Sequence, residues 1–169
     1  MKVEVCVGMI ASGKSTYCKY KAERGWIVIN DDSIVTSVHG GDYKLYHKAF
    51  KPLYKSVEDH ILHTCIGMGT NVVIDRGLDI SVEARQRWIS IARACDVDID
   101  AVVFPMVDPL FHAECRFRSD NRGLSLGTWE RIALAHKKKY SWPTKQEGFH
   151  AVFELSHWHQ DGHPVFKTH

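Results

Sequence analysis

The sequence predicts an α/β protein in which a parallel sheet of about five strands carries helices on both faces. Short β-branched runs alternate with stretches of helical spacing along the 169 residues, and acidic residues follow the ends of two of the runs. The length fits one domain over residues 1–169, because domains cluster at roughly 100 to 150 residues. Hydrophobic residues make up 44% and charged residues 25% of the chain, which favours a packed core over disorder.

The predicted strands are short apolar runs that end at a glycine, a polar cluster or an acid. They cover residues 3–7, 26–29, 71–75, 99–104 and 151–155. Helical spacing of apolar residues predicts the connecting helices at 14–24, 43–67, 82–95, 109–118 and 128–140. Within the second of these helices, Pro52 either produces a kink or begins the second part.

Composition restricts the class of protein. The longest apolar runs are far shorter than the roughly 20 residues of a membrane-spanning helix. Glu4 interrupts the apolar start that a signal peptide would need, so a cytoplasmic location is expected. The five cysteines form no C-x-x-C pair, which favours buried thiols over a disulfide framework or a zinc site. A net charge of +2 neither requires nor excludes a nucleic-acid partner.

Residues 8–16, Gly-Met-Ile-Ala-Ser-Gly-Lys-Ser-Thr, match the phosphate-loop pattern G-x-x-x-x-G-K-[ST]. The pattern follows a predicted strand and opens a predicted helix, so backbone N–H groups and the helix dipole point at phosphate oxygens. We therefore predict a P-loop NTPase-type sheet that binds ATP, with Lys14 at the outer phosphates and the Ser15 hydroxyl at Mg²⁺. The predicted nucleotide-binding residues are Gly8, Ala11, Ser12, Gly13, Lys14, Ser15 and Thr16.

Acidic residues follow the second and third predicted strands. Asp75 is typical of a Walker B acid that holds Mg²⁺ directly or through water, and the alternative is an acid at a helix N-terminus. Asp31 and Asp32 end the preceding strand, and ligands of open parallel sheets bind beyond the strands' carboxyl ends. A carboxylate there can accept the proton of an attacking hydroxyl. The alternative is a simple cap for the segment after Asn30.

Arg116, Arg118 and Arg122 surround the loop-like segment 119–127, which is predicted to move as a lid and to bring positive charge to the triphosphate. A solvated basic helix end is the alternative. Other basic residues have weaker patterns. Further candidates for binding substrate anions are Arg76, Arg85 and Arg87. A solvated helix end is the interpretation for Lys137, Lys138 and Lys139. We expect His157, His159 and His163 to be surface residues.

Together these motifs resemble the kinase domain of phage and animal polynucleotide 5′-kinases and of related small P-loop kinases. The likeness covers most of the chain, in the order 8–16, 29–31, 73–75, 116–118 and 140–149. The resemblance implies transfer of the γ-phosphoryl group of ATP to a hydroxyl, foremost the 5′-hydroxyl of a polynucleotide. It also implies that Asp31 is the general base and that Arg118 and Arg122 contact the ATP phosphates.

Two positions depart from the family pattern. The phage members carry an arginine three residues after the base, where this chain has Ile34, and small polar residues follow the third-strand acid where it has Arg76-Gly77-Leu78. Two alternatives therefore stay open. One is a kinase for a nucleoside, a small metabolite or a modified-base hydroxyl in DNA. The other is a nucleotide-binding switch with slow ATP hydrolysis, against which Asp31 speaks.

Overall fold

A computed structural model describes residues 1–120 and 122–169. Its sheet has six strands in the order β2-β3-β1-β4-β5-β6, of which the first five are parallel and the last is antiparallel to its neighbour. The strands are β1 Val3–Val7, β2 Ile27–Asn30, β3 Val72–Asp75, β4 Ile99–Val103, β5 Ala151–Trp158 and β6 Pro164–Thr168. The predicted α/β fold class is confirmed.

Within the described residues, six α-helices connect the strands. They are α1 Lys14–Ala22, α2 Asp31–Val38, α3 Lys51–Gly67, α4 Val82–Ala94, α5 Pro109–Arg118 and α6 Leu126–Lys139. Short 3₁₀ turns lie at Tyr43–Leu45, Lys48–Phe50 and Lys145–Glu147. Both faces of the sheet are covered: Trp88 and Leu62 pack on one face, and Tyr17 packs with Phe104 on the other.

The sequence did not predict β6. It begins at a proline, its residues are half-buried or exposed, and it pairs with β5 through a hairpin in which the His159 N–H donates to the His163 carbonyl at 2.8 Å. Such an edge strand carries a weak apolar signal because only one of its sides is paired.

The helix predicted over 43–67 is wrong in its first third. The chain there forms two 3₁₀ turns, and α3 begins only at Lys51 with Pro52 in its first turn. Local caps decide this conformation, because the Asp42 carboxylate accepts from the Lys44 N–H at 2.8 Å and the His47 ring accepts from the Ala49 N–H at 3.2 Å. Apolar side chains of this stretch are consequently left on the surface.

The strand register brings the site residues together. In the pairing of β2 with β3, Asn30 lies opposite Asp75, so the carboxyl ends of these strands meet beside β1 and the loop that follows it. Within the described ranges 1–120 and 122–169, none of the helices has the length and hydropathy to cross a membrane.

Candidate active site

The phosphate loop takes its shape from residues that tolerate unusual backbone angles. Ala11 and Gly13 have positive φ values of 52° and 97°, which turn the chain into α1. At Gly8 a Cβ atom would lie 2.7 Å from the Ser12 Oγ and 2.8 Å from the Phe104 Cβ. Only glycine fits there, because the loop packs closely against Phe104, the residue that follows β4.

Lys14 extends back along its own loop. Its Nζ donates to the carbonyl oxygens of Gly8 at 2.9 Å and Met9 at 2.7 Å. Burial lowers the pKa of Lys14, and the Asp75 carboxylate opposes that effect. Nearby, the Ser12 hydroxyl is buried and has no hydrogen-bond partner among the described residues. A buried ammonium and an unpaired hydroxyl beside turned backbone fit a bound anion such as a triphosphate.

Ser15, Asp75 and Asn30 form a hydrogen-bonded group beside the loop. The Ser15 hydroxyl donates to the Asp75 Oδ2 at 3.0 Å, and the Asn30 amide donates to the Asp75 backbone carbonyl at 3.1 Å. Asn30 also caps α2, since its Oδ1 accepts from the Ser33 N–H at 2.8 Å. Asp75 is buried at 5% exposure.

The donor set at Ser15 and Asp75 fits Mg²⁺. A hydroxyl and one carboxylate are hard oxygen ligands, and Mg²⁺ is usually bound by one or two carboxylates together with substrate phosphates and waters. Across residues 1–120 and 122–169, no group of three or more His, Cys, Asp or Glu side chains is placed to hold a metal by itself. Ser15 and Asp75 would therefore share the ion with the triphosphate.

Asp31 is the first residue of α2. Its Oδ1 accepts from the Asp32 N–H at 3.1 Å, and its Oδ2 lies 3.8 Å from the Arg76 Nε. Burial and the neighbouring carboxylates of Asp32 and Glu58 raise the pKa of Asp31 to about 6, while Arg76 acts in the opposite direction. The carboxyl group is 32% exposed as a side chain, so an incoming hydroxyl can reach it.

Asp32 has a different environment from its neighbour. Its carboxylate forms an ion pair with Arg122, whose guanidinium also stacks over the Tyr43 ring at 4.1 Å from the ring centroid. Arg122 lies in the segment between α5 and α6, and its N–H donates to the Asp120 Oδ1 at 3.0 Å. The predicted lid segment thus contacts the N-terminus of α2. Asn121 of that segment lies outside the described residues.

These groups line one cavity of about 590 Å³. The phosphate loop, the ends of β2 and β3, and the facing sides of α5 and α6 form its wall. Of the predicted site residues, it brings together Ala11, Ser12, Gly13, Lys14, Ser15, Thr16, Asp31, Asp75 and Arg122, and Arg116 joins them.

Of the predicted site residues, Gly8 and Arg118 do not line the cavity. Gly8 opens the phosphate loop and its carbonyl accepts from the Lys14 Nζ, whereas Arg118 is the last residue of α5. Its side chain is 76% exposed and pairs with Glu114 at 3.3 Å, one helical turn away on α5. Helical geometry explains the different positions of the two arginines, because Arg116 and Arg118 lie about 200° apart around α5 and only one of them can face the loop. The exposed position of Arg118 therefore favours the alternative interpretation from the sequence, a solvated basic helix end.

Two of the other arginine candidates, Arg85 and Arg87, form ion pairs with side chains outside the cavity. Arg85 is fully buried and binds the Glu147 carboxylate at 2.8 Å, so it holds the 140–149 segment against α4. Arg87 pairs with Glu58 at 2.5 Å and with Asp59 at 2.7 Å. Only Arg76, which lies between Asp31 and Glu58, is close to the site.

His136 of α6 is a cavity residue that the sequence did not indicate. Its Nδ1 is buried and has no partner in the part of the chain that the structure describes. Burial lowers the pKa of His136, and Lys14 adds to the effect, which keeps the ring neutral near pH 7. In the sequence it shares helical spacing with Ile132, and that pattern predicts only a core-facing side of α6.

The sheet, the loop and the acid at the end of β3 define a P-loop protein with the kinase fold. The family model described as AAA domain matches residues 3–137, and the chain belongs to that family. The resemblance to P-loop kinases stated from the motifs is confirmed, and nucleotide binding follows from the family. No curated protein matches the sequence significantly.

Solved structures of kinases share this fold. A chain of the Pnkp1/Rnl/Hen1 RNA repair complex is 19% identical with a TM-score of 0.63, covering 83% of this chain and 46% of that one. A fungal RNA kinase is 15% identical with a TM-score of 0.61, covering 92% and 38%. Shikimate kinase from Acinetobacter baumannii, solved with shikimate, is 15% identical with a TM-score of 0.57, covering 92% and 84%. The chain thus spans less than half of the two RNA-related proteins.

Proposed function

We propose that the protein is an ATP-dependent kinase that transfers the γ-phosphoryl group to the 5′-hydroxyl end of a polynucleotide. The observation that carries this proposal is the position of Asp31. Its partly exposed carboxyl group lines the same cavity as the phosphate loop, beside the Ser15 and Asp75 pair. A protein that only bound and slowly hydrolysed ATP would have no need of such a group at its acceptor side.

Each side chain has a chemical task in this reaction. The loop N–H groups and Lys14 bind the phosphates, and Asp31 accepts the proton of the acceptor hydroxyl. The hydroxyl oxygen then bonds to the γ-phosphorus as the bond to the β–γ bridging oxygen breaks, and ADP leaves. Arg122 and Lys14 stabilise the charge on the transferred group. Mg²⁺ held by Ser15 and Asp75 would offset charge on the phosphates when bound.

Asp31 is a better base than Asp32 for two reasons. Arg122 occupies the Asp32 carboxylate, whereas the nearest cation to Asp31, the Arg76 Nε, is 3.8 Å away. A base is most effective when its pKa lies near the working pH, and the pKa of Asp31 is raised to about 6. The resemblance to polynucleotide kinases assigns the same residue.

The acceptor assignment has support from the RNA-related structures, and the shikimate kinase structure favours a second candidate, a small hydroxyl compound. Ile34 supports that alternative. It is buried at 8% exposure on α2, so the cation that phage members have at this position is absent here. The second candidate keeps the same base and phosphate loop, and changes only the acceptor.

A labelled-ATP transfer screen separates these candidates. The wild-type protein is incubated with γ-labelled ATP and Mg²⁺ together with 5′-hydroxyl oligonucleotides of DNA and RNA, free nucleosides, shikimate and sugar acids. We expect label on the 5′ end of an oligonucleotide. An oligonucleotide that already bears a 5′-phosphate is the matched control. Label on the small compounds alone would support the second candidate. Acceptor-independent release of phosphate alone would support the switch.

A further inference from the structure

The segment between α2 and α3 carries a set of clustered aromatic rings. Tyr43 and Tyr46 stack with centroids 6.1 Å apart and planes 8° apart, and His47 contacts Phe50 at 6.0 Å. We call the four residues Tyr43, Tyr46, His47 and Phe50 the aromatic platform. Tyr46 is 37% exposed and Phe50 is 48% exposed. Large apolar side chains are rarely left in such a group on a surface that binds nothing.

Two buried or half-buried rings support the platform from below. Tyr54 of α3 contacts Tyr46 at 5.8 Å, and His39 contacts both Tyr54 and Phe50 at about 6 Å. The Tyr54 hydroxyl bonds to the His39 Nε2 at 2.7 Å. The exposed rings are therefore fixed by packing, and a ligand that stacks on them would lose little side-chain entropy.

Lysines alternate with the rings of the platform. Residues 39–55 contain one acidic residue, Asp42, and four exposed lysines, which are Lys44, Lys48, Lys51 and Lys55. The nearest carboxylates on α3, Glu58 and Asp59, are already paired with Arg87. Exposed rings beside unpaired cations match the two chemical parts of a nucleic-acid strand, its bases and its phosphates.

The platform begins at the acceptor side of the cavity. Tyr43 lies under the Arg122 guanidinium, and Arg122 pairs with Asp32, the residue next to Asp31. From Tyr43 the ring contacts lead to Tyr46, and then through the supporting rings of Tyr54 and His39 to Phe50. A strand whose first nucleotide lies at Asp31 would therefore meet the platform with its next nucleotides.

We propose that the aromatic platform binds a single-stranded polynucleotide, with bases stacked on Tyr46 and Phe50 and phosphates beside Lys44 and Lys48. This inference rests on the proposed function, since it places the 5′ end at Asp31. A protein partner would also use exposed rings, but the alternating lysines and the continuity with the acceptor side favour a polyanion. The platform would replace the arginine that phage members have at the position of Ile34, because it binds the strand beyond its terminal nucleotide.

The test compares acceptors of different length. Phe50→Ala and Tyr46→Ala are expected to raise the KM for a six-nucleotide 5′-hydroxyl strand by about 5- to 150-fold, the range of losing one stacked base. Their kcat and KM with a nucleoside 3′-phosphate, and their KM for ATP, should stay at wild-type values. Phe111→Ala removes an equally exposed ring from α5 and is the matched control. Phe50→Leu keeps an apolar side chain without the ring, and should behave like Phe50→Ala if stacking is the cause.

Salt dependence tests the lysines. For the six-nucleotide strand, Lys48→Ala should reduce the slope of log affinity against log salt by about 0.7, the value of one lost phosphate contact on a single strand. Lys19→Ala, on the exposed face of α1, should leave the slope unchanged.

Direct binding separates failure of the platform from failure of the proposed function. The probe is a fluorescent six-nucleotide strand, whose anisotropy is followed without ATP. Binding that Phe50→Ala weakens, in a protein that phosphorylates no strand, would keep the platform and overturn the function. Phosphorylation of the strand with unchanged KM in both ring variants would overturn the platform alone.

Discussion

The two halves of the cavity are built in different ways. The half proposed to bind the nucleotide consists of consecutive residues, which run from the loop after β1 into the first turn of α1 and include Gly13 and Lys14. The half proposed to bind the acceptor consists of side chains from distant parts of the chain, with Asp31 from α2 and Arg122 between α5 and α6. Arg76, which follows β3, lies beside Asp31. A site made of backbone depends on local sequence, whereas a site made of side chains depends on how helices pack.

The two halves also differ in the charges that they contain. In the nucleotide half the buried Lys14 ammonium is held by carbonyl oxygens, at 2.7 and 2.9 Å. In the acceptor half two adjacent carboxylates, Asp31 and Asp32, are balanced by arginines from other elements. Substitutions in the first half should therefore affect ATP binding, and those in the second should affect transfer.

The largest effect is expected in the nucleotide half. Lys14→Ala removes the cation that neutralises the outer phosphates, so ATP affinity should fall and transfer should drop to the detection limit. Calorimetric titration with a non-hydrolysable ATP analogue, together with the labelled-ATP assay, measures both. Lys19→Ala, one helical turn further along α1 and exposed, is the control for loss of a lysine. Wild-type turnover in Lys14→Ala would overturn the assignment of the loop.

A smaller effect is expected for the arginine that links the two halves. Arg122→Ala should lower kcat by about 10²-fold, the typical effect of removing one group that stabilises developing charge. Arg118→Ala is the matched control, because its side chain is 76% exposed and pairs only with Glu114. Thermal unfolding of both variants checks that the fold is intact. Equal losses in the two variants would show that Arg122 has no special place in the reaction.

The smallest and most graded effect is the dependence on pH. A base must be deprotonated to accept a proton, and the pKa of Asp31 is raised to about 6. The value of kcat/KM should therefore be constant above about pH 7 and fall about tenfold per pH unit well below 6. A profile in which Asp31→Asn keeps the same inflection near pH 6 would assign the inflection to another group.

Most residues predicted for the phosphate loop lie together in one cavity, whereas the residues predicted for the acceptor side do so only in part. The loop pattern specifies its own backbone, and the order of strands and helices gave the fold class. Arg116 and Arg118 could not be distinguished from the sequence, because that choice depends on which side of α5 faces the cavity. Asp42 and His47 cap 3₁₀ turns in a stretch where the apolar pattern predicts helix, so the helix predicted at 43–67 was too long. Asn30 caps α2, a helix of eight residues that was not predicted from the polar cluster at 30–33.

The most direct test of the proposed mechanism is a comparison of Asp31→Asn with Asp32→Asn. Each substitution keeps the size of the side chain and removes its charge. We expect Asp31→Asn to bind ATP with nearly wild-type affinity and to transfer phosphate about 10²- to 10⁴-fold more slowly, in single-turnover measurements with the acceptor found in the screen. Asp32→Asn should be milder, since it loses only the pairing with Arg122. Normal transfer by both variants would show that Asp31 is not the general base and that it only stabilises the N-terminus of α2.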